Sequence, residues 1–387
     1  MKRILIFSTA YFPFVGGAEV SIKEITDRLS SEFEFDLITA RLQKDLPRVE
    51  KISKVTVYRI GMGVPLLDKL WLPIGGAVRA WHLNNYQSYH CLWGVMVTFA
   101  SGAGYVLNIS RRLLGKKKIP MVLTLQEGDS EVHLKYRWFG LLALSWRLAL
   151  SQTDILTGLS NFLLERARKN GYKGKSILVP NGVNLEVFTK KINEKDKTDI
   201  KKSLDKKEGE VFLVTTSRLV HKNGIDDVIS ALVDLPKNIK FVVIGVGDLK
   251  VRLQKQASDL GVSDRVKFLD LIPNVDLPKY FSVCDIFIRA SRSEGFGISF
   301  IEAMASNLPV IATAVGGIPD FLDNKETGLF CLPNNPKSIV KAVKLLLDDK
   351  DLRENIIKKA HDMVVERYSW DRIANSMKSD VFEKLNK

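Results

Sequence analysis

The chain has 387 residues, which exceeds the usual size of one domain and predicts two. Its 45% hydrophobic and 26% charged residues are ordinary for a globular protein. The three cysteines lie far apart, which excludes a disulfide framework and favours a reducing cytosol, and the net charge of +14 predicts an anionic partner such as nucleic acid, phosphosugars or an acidic membrane surface.

The N-terminal stretch, MKRILIFSTAYFPFVGG, is predicted to begin with a buried strand. It has the basic residues and apolar run of a signal peptide, but it lacks a small-residue cleavage site and Gly16-Gly17 stands where a helix would begin. The longest apolar run, 138–150, is too short to span a membrane and contains Arg147.

Apolar strands alternate with amphipathic segments along the whole chain. The strands predicted in the first half are RILIFS, FDLITA, VTVYRI, YHCLWG, PMVLTL, DILTGL and SILVP. Those in the second half are VFLVTTS, KFVVIG, RVKFLD, DIFIRAS and PVIATA. This alternation predicts an α/β protein with two parallel sheets. The charged segment 190–210 is expected to be a linker or surface loop, and 368–385 a helix of about four to five turns.

Glycines and basic residues follow several of these strands. The chain turns through Gly16 and Gly17 into a helix after the first strand. In the second half, TTSRLVHKNG places Arg218 and Lys222 after a strand, and VIGVGD adds a glycine turn at Gly247. Because open α/β sheets bind ligands at the carboxyl ends of their strands, these residues are candidates for binding.

The segment RSEGFGISFIEAMA, 292–305, joins a predicted strand to a predicted helix. Its glycines let a ligand approach the backbone, and the N–H groups at the helix N-terminus suit a phosphate. Glu302 falls in the second helical turn, where a carboxylate can accept hydrogen bonds from two hydroxyls of a ribose. The segment therefore indicates a nucleotide or sugar-phosphate pocket; the alternative is a solvated Glu294 and a glutamate on a helix flank.

Taken in order, these motifs resemble the retaining glycosyltransferases of the GT-B fold, family 4, also called glycosyl transferases group 1. The resemblance covers nearly the full length, through PFVGGAE, PNGVN, SRLVHKNGIDDVI, VVIGVGD, the E-x7-E pair of Glu294 and Glu302, and TGLFCLPNN. It implies two Rossmann-like domains facing a central cleft. The expected acceptor-side domain is 1–187 with a returning helix at 368–387, and the expected nucleotide-sugar-binding domain is 188–367.

The resemblance also implies a role for each matched residue. Glu302 would hold the ribose hydroxyls, and Glu294 with the backbone of Gly295, Phe296 and Gly297 would face the donor sugar and diphosphate. Arg218 would pair with the diphosphate. The remaining donor contacts are expected from Gly16 and Gly17 of the first domain, and from Gly247 and the backbone near Ile272.

Two positions depart from the family pattern. Where the family often has a histidine beside the reacting sugar, this chain has Gln126 or Glu127 as its catalytic candidates, and a glutamine cannot carry a proton. The phosphate-binding lysine usually directly precedes a glycine, but that position is Asn223 here and Lys222 lies one residue earlier. Either Lys222 reaches the phosphate through its flexible stem, or Lys222 is a surface lysine.

The resemblance implies a metal-independent, retaining transfer of a glycosyl group from a UDP- or GDP-sugar to a glycan or glycolipid acceptor, without a cofactor. The leaving diphosphate would help to take the proton of the acceptor. The D-x-D at 349–351 lies in a polar segment and the five histidines are scattered, so no metal site is expected. A dinucleotide-dependent oxidoreductase is not expected, because the chain lacks the glycine fingerprint of a dinucleotide-binding site. The alternative is a glycosyltransferase-like accessory subunit that binds nucleotide sugar or a partner enzyme without turnover.

Basic residues concentrate in the predicted acceptor-side domain. Residues 100–190 hold 14 Lys and Arg against 6 Asp and Glu, and RRLLGKKK at 111–118 holds five of those positive charges. With the apolar run 136–150, this pattern favours a protein held peripherally on an anionic inner membrane surface. The resemblance implies a cytoplasmic enzyme whose partners are a nucleotide sugar and an acceptor, with no nucleic-acid partner. The alternative is a core helix at 136–150 and solvated charges.

Overall fold

The computed structural model describes residues 1–97, 99–128 and 141–386, which divide into two compact units. The first unit consists of Met1–Asn181 and Trp370–Lys387, and the second of Gly182–Ser369. The first boundary thus falls six residues before the predicted one at 187/188. Phe188 packs on Phe281 inside the second unit, with ring centroids 6.3 Å apart, which explains why the preceding residues join that unit.

The first unit is built on an eight-stranded sheet in the order β3-β4-β2-β1-β5-β6-β7-β8. All neighbouring strands are parallel except β3 and β4, which form an antiparallel pair at one edge. The strands are β1 Lys2–Phe7, β2 Phe33–Ala40, β3 Val49–Ile52, β4 Val55–Ile60, β5 Cys91–Val95, β6 Met121–Leu125, β7 Ile155–Gly158 and β8 Lys175–Leu178.

The helices of the first unit connect these strands. They are α1 Gly17–Leu29, α2 Pro65–Tyr86, α3 Ala100–Leu113, α4 Leu141–Gln152 and α5 Asn161–Lys169. The C-terminal segment begins as an α-helix at Trp370–Ser376 and then changes winding, first to a π-helix and then to a 3-10 helix, rather than continuing as the single helix that was predicted. Trp370 and Phe382 of this segment are buried in the core of the first unit.

The second unit contains a six-stranded parallel sheet in the order β11-β10-β9-β12-β13-β14. The strands are β9 Val211–Thr216, β10 Ile239–Ile244, β11 Val266–Leu269, β12 Ile286–Arg289, β13 Val310–Thr313 and β14 Leu329–Cys331. The strand order runs outward in both directions from β9 and β12, as in a dinucleotide-binding fold, so the topological switch point lies between these two strands.

Eight α-helices of the second unit lie in its described residues. They are α6 Leu185–Phe188, α7 Glu194–Ser203, α8 Ile225–Ala231, α9 Lys250–Asp259, α10 Leu277–Phe281, α11 Ile298–Ala305, α12 Pro336–Asp348 and α13 Lys350–Arg367. Across the described parts of the whole chain, no helix is long and apolar enough to cross a membrane.

The prediction of a linker or surface loop at 190–210 is wrong, because this segment contains the helix α7. Asn193 caps this helix by accepting a 2.8 Å hydrogen bond from the backbone N–H of Asp196. Acidic residues stand in its first turn and Lys201 and Lys202 in its last, which complements the helix dipole. None of its residues is buried, so the helix has no apolar face that the sequence could have revealed.

Candidate active site

The clearest candidate site lies at the carboxyl end of the second sheet, at the switch point between β9 and β12. Connections leave these two strands in opposite directions, which opens the crevice where α/β proteins bind ligands. The loop 217–224 follows β9 and the loop 290–297 follows β12. Seven of the predicted site residues lie on these two loops: Arg218, Lys222, Asn223, Glu294, Gly295, Phe296 and Gly297.

The loop after β9 is held by its own buried asparagine. Asn223 is 5% exposed, and its Nδ2 donates a 2.6 Å hydrogen bond to the backbone carbonyl of Arg218. Gly224 has a φ of +63°, and a Cβ there would overlap the carbonyl oxygen of Ala290. The Arg218 side chain is exposed and forms no ion pair with any residue that the structure describes. The loop thus presents an arginine on a fixed backbone.

The loop after β12 ends in the glycine turn that begins α11. Gly297 has a φ of +97°, and no side chain caps the helix, so its first N–H groups are available to an anion. Phe296 is buried, and its ring packs on Phe321 and Tyr368 with centroids 5.3 and 5.6 Å away. The side chain of Phe296 therefore belongs to the core, and only its backbone is placed to face a ligand.

Glu294 is fixed through both its side chain and its backbone. Its Oε2 accepts a 2.6 Å hydrogen bond from Arg289 Nη2, and its Oε1 accepts one of 3.0 Å from Gly295 N–H. Its carbonyl accepts from Gly317 N–H at 3.2 Å. The neighbouring Gly316 has a φ of +57°, and a Cβ there would overlap the same carbonyl oxygen. Glu294 is mostly buried, which contradicts the alternative of a solvated side chain.

Arg289 is a buried cation that was not among the predicted site residues. It is 5% exposed at the end of β12, and its Nη1 donates a 2.8 Å hydrogen bond to Ser299 Oγ. Its guanidinium lies over the Phe300 ring, 4.2 Å from the centroid. Burial lowers the pKa of Arg289, and the Glu294 and Glu302 carboxylates oppose that shift. The sequence does contain one indication of its role, because Arg289 is a charged residue at the end of an otherwise apolar strand, close to the glycine turn.

Arg292 joins the two loops. Its Nη1 and Nη2 donate to Asp226 and Asp227 at 2.8 and 2.9 Å, and Nη1 also donates to the His221 carbonyl at 2.6 Å. The Arg292 backbone N–H donates to the Lys222 carbonyl at 2.7 Å. Burial raises the pKa of Asp227, and the nearby Arg292 guanidinium opposes the rise. The Lys222 backbone is thereby tied to the loop that carries Glu294.

Glu302 lies in the second turn of α11 and is 7% exposed. Its Oε1 accepts a 2.7 Å hydrogen bond from Asn274 Nδ2, which extends from the loop after β11. Burial raises the pKa of Glu302 to about 7, and Asn274 and Arg289 oppose the rise. Ile272, predicted near the base, is half-buried in the same loop, two residues before Asn274.

Gly247 lies in the loop after β10, where its lack of a side chain is required. A Cβ there would stand 2.5 Å from the carbonyl oxygen and 2.6 Å from the nitrogen of Leu219. Leu219 directly follows Arg218, and its N–H donates to the Val246 carbonyl at 2.9 Å. Gly247 thus lets the β10 loop support the loop that carries Arg218; a contact of Gly247 with the donor stays a prediction.

Four predicted residues belong to the first unit. Gly16 and Gly17 are exposed at the start of α1, which has no side-chain cap. Glu127 is buried after β6, where its Oε1 accepts from the backbone N–H of Val97 and its Oε2 from that of Gln126 at 3.2 Å. The carboxylate of Glu127 therefore braces two loops.

Gln126 differs from its neighbour Glu127. Its Nε2 is buried and has no hydrogen-bond partner among the described residues. A buried donor without a partner is costly unless a ligand or water completes it. Gln126 is therefore the better candidate of the two for a hydrogen bond to a sugar hydroxyl.

No group of three or more histidine, cysteine, aspartate or glutamate side chains within the described ranges could hold a metal ion. Asp349, the first residue of the D-x-D, caps α13 by accepting a 2.9 Å hydrogen bond from Leu352 N–H. Helix capping therefore accounts for the presence of Asp349 in the D-x-D motif without a metal ion.

The two segments predicted to face a membrane differ in exposure. Leu113 and Leu114 of the basic segment 111–118 are exposed. Of the run 136–150, residues 136–140 lie outside the described residues, while Trp146 and Leu150 of α4 are buried. Among the side chains described for that run, 145–150, Trp146, Ala149 and Leu150 are buried and Arg147 is exposed, so the described part packs one face into the first unit.

Comparison with known proteins covers both units. Residues 15–187 match the family described as Glycosyltransferase Family 4, and residues 196–363 match Glycosyl transferases group 1. An uncharacterized glycosyltransferase of Methanocaldococcus jannaschii is 27% identical over 96% of this chain and 96% of its own length. Alpha-monoglucosyldiacylglycerol synthase of Acholeplasma laidlawii is 23% identical over 100% of this chain and 98% of its own.

Solved structures resemble the chain over its full length. Sucrose-phosphate synthase from Thermosynechococcus elongatus has a TM-score of 0.84 at 20% identity, covering 100% of this chain and 99% of that one. An Anabaena protein in complex with UDP and glucose has a TM-score of 0.79 at 18% identity, covering 99% and 100%. At these identities the likeness shows the fold.

Proposed function

The chain belongs to the GT-B glycosyltransferases, family 4 and group 1, and we propose that it transfers a glycosyl group from a nucleoside diphosphate sugar, with retention, to a glycan or glycolipid acceptor. The reaction is proposed to need no metal and no cofactor beyond the donor. The predicted family and fold are thereby confirmed, while donor, acceptor and stereochemistry belong to the proposal.

One observation carries the donor site: a buried carboxylate, Glu302, lies in the helix whose uncapped N-terminus follows Gly297. The N–H groups there suit the diphosphate, and a carboxylate in the second helical turn suits the vicinal hydroxyls of a ribose. The Anabaena neighbour, which was solved in complex with UDP and glucose, supports the same class of ligand.

The proposed chemistry depends on stabilising the departing diphosphate. Arg218 is exposed on a fixed loop, and the start of α11 adds a partial positive charge. Preorganised donors aimed at developing charge lower the barrier without reorganising during the reaction. The acceptor hydroxyl would attack from the same face and pass its proton to a diphosphate oxygen. Gln126 would hold the donor sugar through its Nε2, which has no hydrogen-bond partner among the described residues.

The acceptor is proposed to be a glycan or lipid-linked molecule at an anionic membrane surface. The first unit holds 29 Lys and Arg against 17 Asp and Glu, a net +12, whereas the second holds 29 against 27, a net +2. Such a surplus favours anionic partners. The Acholeplasma relative, a monoglucosyldiacylglycerol synthase, supports a lipid acceptor.

A second candidate is a non-catalytic subunit that binds nucleotide sugar. Gln126, which cannot carry a proton, favours it. Hydrolysis of UDP- and GDP-sugars labelled in the sugar separates the two functions, because a slow release of free sugar that is lost in Glu302→Ala requires turnover. Binding of nucleotide without release of sugar, in the presence of lipid and glycan extracts, would favour the non-catalytic subunit.

A further inference from the structure

Helix α2 of the first unit exposes a continuous apolar face. Every exposed residue between 65 and 78 is apolar. Six of them recur at helical spacing and form what we call the α2 apolar face: Leu66, Leu67, Leu70, Trp71, Ile74 and Val78. All but Leu70 expose half or more of their surface, from 50% for Trp71 to 57% for Leu66. A stripe of this size on a monomer marks an interaction surface.

The opposite side of α2 packs into the core of the first unit. Leu72 and Ala80 are fully buried, and Gly76 approaches α3 so closely that a Cβ would stand 2.8 Å from that of Ala103. Packing against α3 therefore does not need the α2 apolar face.

The start of the helix is also fixed. Asp68 is buried, and its carboxylate accepts hydrogen bonds from the N–H groups of Met62, Gly63 and Val64 at 2.9, 2.7 and 2.9 Å. The six apolar side chains are thus displayed on a rigid helix.

Cations stand at both ends of the α2 apolar face. Lys44 lies against Gly63 at the beginning of the helix, and the exposed Arg48 lines a groove of 690 Å³ beside Leu67 and Trp71. At the other end, Lys116 Nζ lies 4.5 Å from the centroid of the Trp81 ring. An apolar stripe between cations matches the boundary between acyl chains and anionic headgroups.

We propose that the α2 apolar face inserts into the headgroup–acyl boundary of an anionic bilayer, with Lys44, Arg48 and Lys116 contacting lipid phosphates. A second copy of the chain fits the face less well, because a self-complementary contact would oppose one set of cations to another. This inference rests on the proposed function, because it specifies which surface of the enzyme would meet the membrane that holds the acceptor. Insertion itself requires neither donor nor turnover.

Co-sedimentation of the full chain with vesicles tests the proposal. Vesicles of phosphatidylcholine alone are compared with vesicles containing phosphatidylglycerol, at low and high salt. We expect binding to the anionic vesicles only, weakened by salt. The variant L70Q/I74Q should lower the partition coefficient on the order of tenfold, because two side chains lose their burial in the bilayer. Lys44→Glu with Lys116→Glu should lower it by a similar factor.

Matched controls change the same residue types in the second unit. V251Q/L260Q alters two exposed apolar residues of α9 and its C-terminal cap, and K237E/K337E reverses two exposed lysines. Both controls should bind vesicles as the unaltered chain does. Acyl chains brominated near the headgroup should quench Trp71, and Trp71→Phe should remove most of that quenching while binding persists.

Several results would overturn the proposal: no binding to anionic vesicles, equal loss in the control variants, or a dimer that L70Q/I74Q dissociates without any vesicle binding. Thermal shift by UDP and GDP is measured on the same variants, and it should not change in L70Q/I74Q. Vesicle binding without turnover of any donor would support docking while rejecting the proposed transfer. Turnover on a soluble acceptor without vesicle binding would do the reverse.

Discussion

The Nδ2 of Asn223 donates to the carbonyl oxygen of Arg218, five residues earlier, and so closes the loop after β9. The asparagine therefore points into its own loop, away from the position expected of a phosphate ligand. Its effect on a diphosphate would be exerted through the backbone that carries Arg218.

Because of this geometry, mutations can distinguish the role of Asn223 from that of Lys222. Asn223→Ala should lower the free energy of unfolding by about 1 kcal/mol, the usual loss for one internal hydrogen bond, and should also weaken nucleotide binding. Lys222→Ala should weaken nucleotide binding at unchanged stability. Thermal denaturation and titration calorimetry with UDP and GDP measure both quantities. Weaker binding in Asn223→Ala at unchanged stability would instead place its amide on the phosphate.

Glu302→Ala tests the ribose contact. A hydrogen bond to a charged group contributes about 1.5–3 kcal/mol, so at pH 8, where Glu302 is ionised, the nucleotide affinity should fall roughly 10- to 150-fold. Calorimetry with the nucleotide that binds the unaltered chain gives the ratio directly. Equal affinities would remove Glu302 from the donor site.

The raised pKa of Glu302 also predicts a pH dependence of stability. Its folded pKa of about 7 lies above the ordinary value of 4.5, so between these values the folded state binds the proton that the unfolded state has lost. The free energy of unfolding should therefore fall as pH rises from about 4.5 to about 7, and then stay level with respect to this group. Glu302→Gln should be more stable than the unaltered chain at pH 8, with a difference that shrinks towards pH 5. Urea titrations at several pH values would show a constant difference if Glu302 were ordinary.

Arg218→Ala should lower turnover more than donor binding, because the diphosphate gains charge as the glycosidic bond breaks. Rates of donor hydrolysis at saturating donor, set beside calorimetric affinities, separate the two effects. Arg252→Ala, an exposed arginine on α9, is the matched control and should change neither. A proportional loss of affinity and rate in Arg218→Ala would assign Arg218 to ground-state binding alone.

Arg289→Met should be strongly destabilising, since removing one partner of a buried ion pair typically costs about 3–5 kcal/mol. Adding Glu294→Gln should recover part of that loss, because the uncompensated carboxylate disappears with it. Denaturation of the two single variants and the double variant forms a thermodynamic cycle. Additive losses in the double variant would show that Arg289 and Glu294 do not depend on each other.

The fold could be predicted because its signals are local. All twelve predicted strands are confirmed, since each is an apolar run flanked by turn residues. The two strands that were missed lack this signal: β3, Val49–Ile52, is an edge strand with exposed positions, and β14, Leu329–Cys331, has three residues. Helix α7 was missed because every side chain in it is at least partly exposed.

The site could be predicted only in part. Glu294 and Glu302 stand out because they flank a glycine turn. The residues that contact this region, however, are distant in sequence. Asn274 reaches Glu302 across 28 residues, and Arg292 reaches Asp226 across 66. No periodicity reports such contacts, and nothing in the sequence shows that the Asn223 amide turns inward.

The buried C-terminal segment sets an order of folding during synthesis. Phe382 packs on Phe33 and Trp93, with ring centroids 5.6 and 5.5 Å away, so the core of the first unit is incomplete until residues 370–382 have been synthesised. The second unit, whose residues are all made before then, completes its own core earlier. The half that is translated first is therefore the half whose core is completed last, and a nascent chain that ends before Trp370 would carry both sheets but only one complete core.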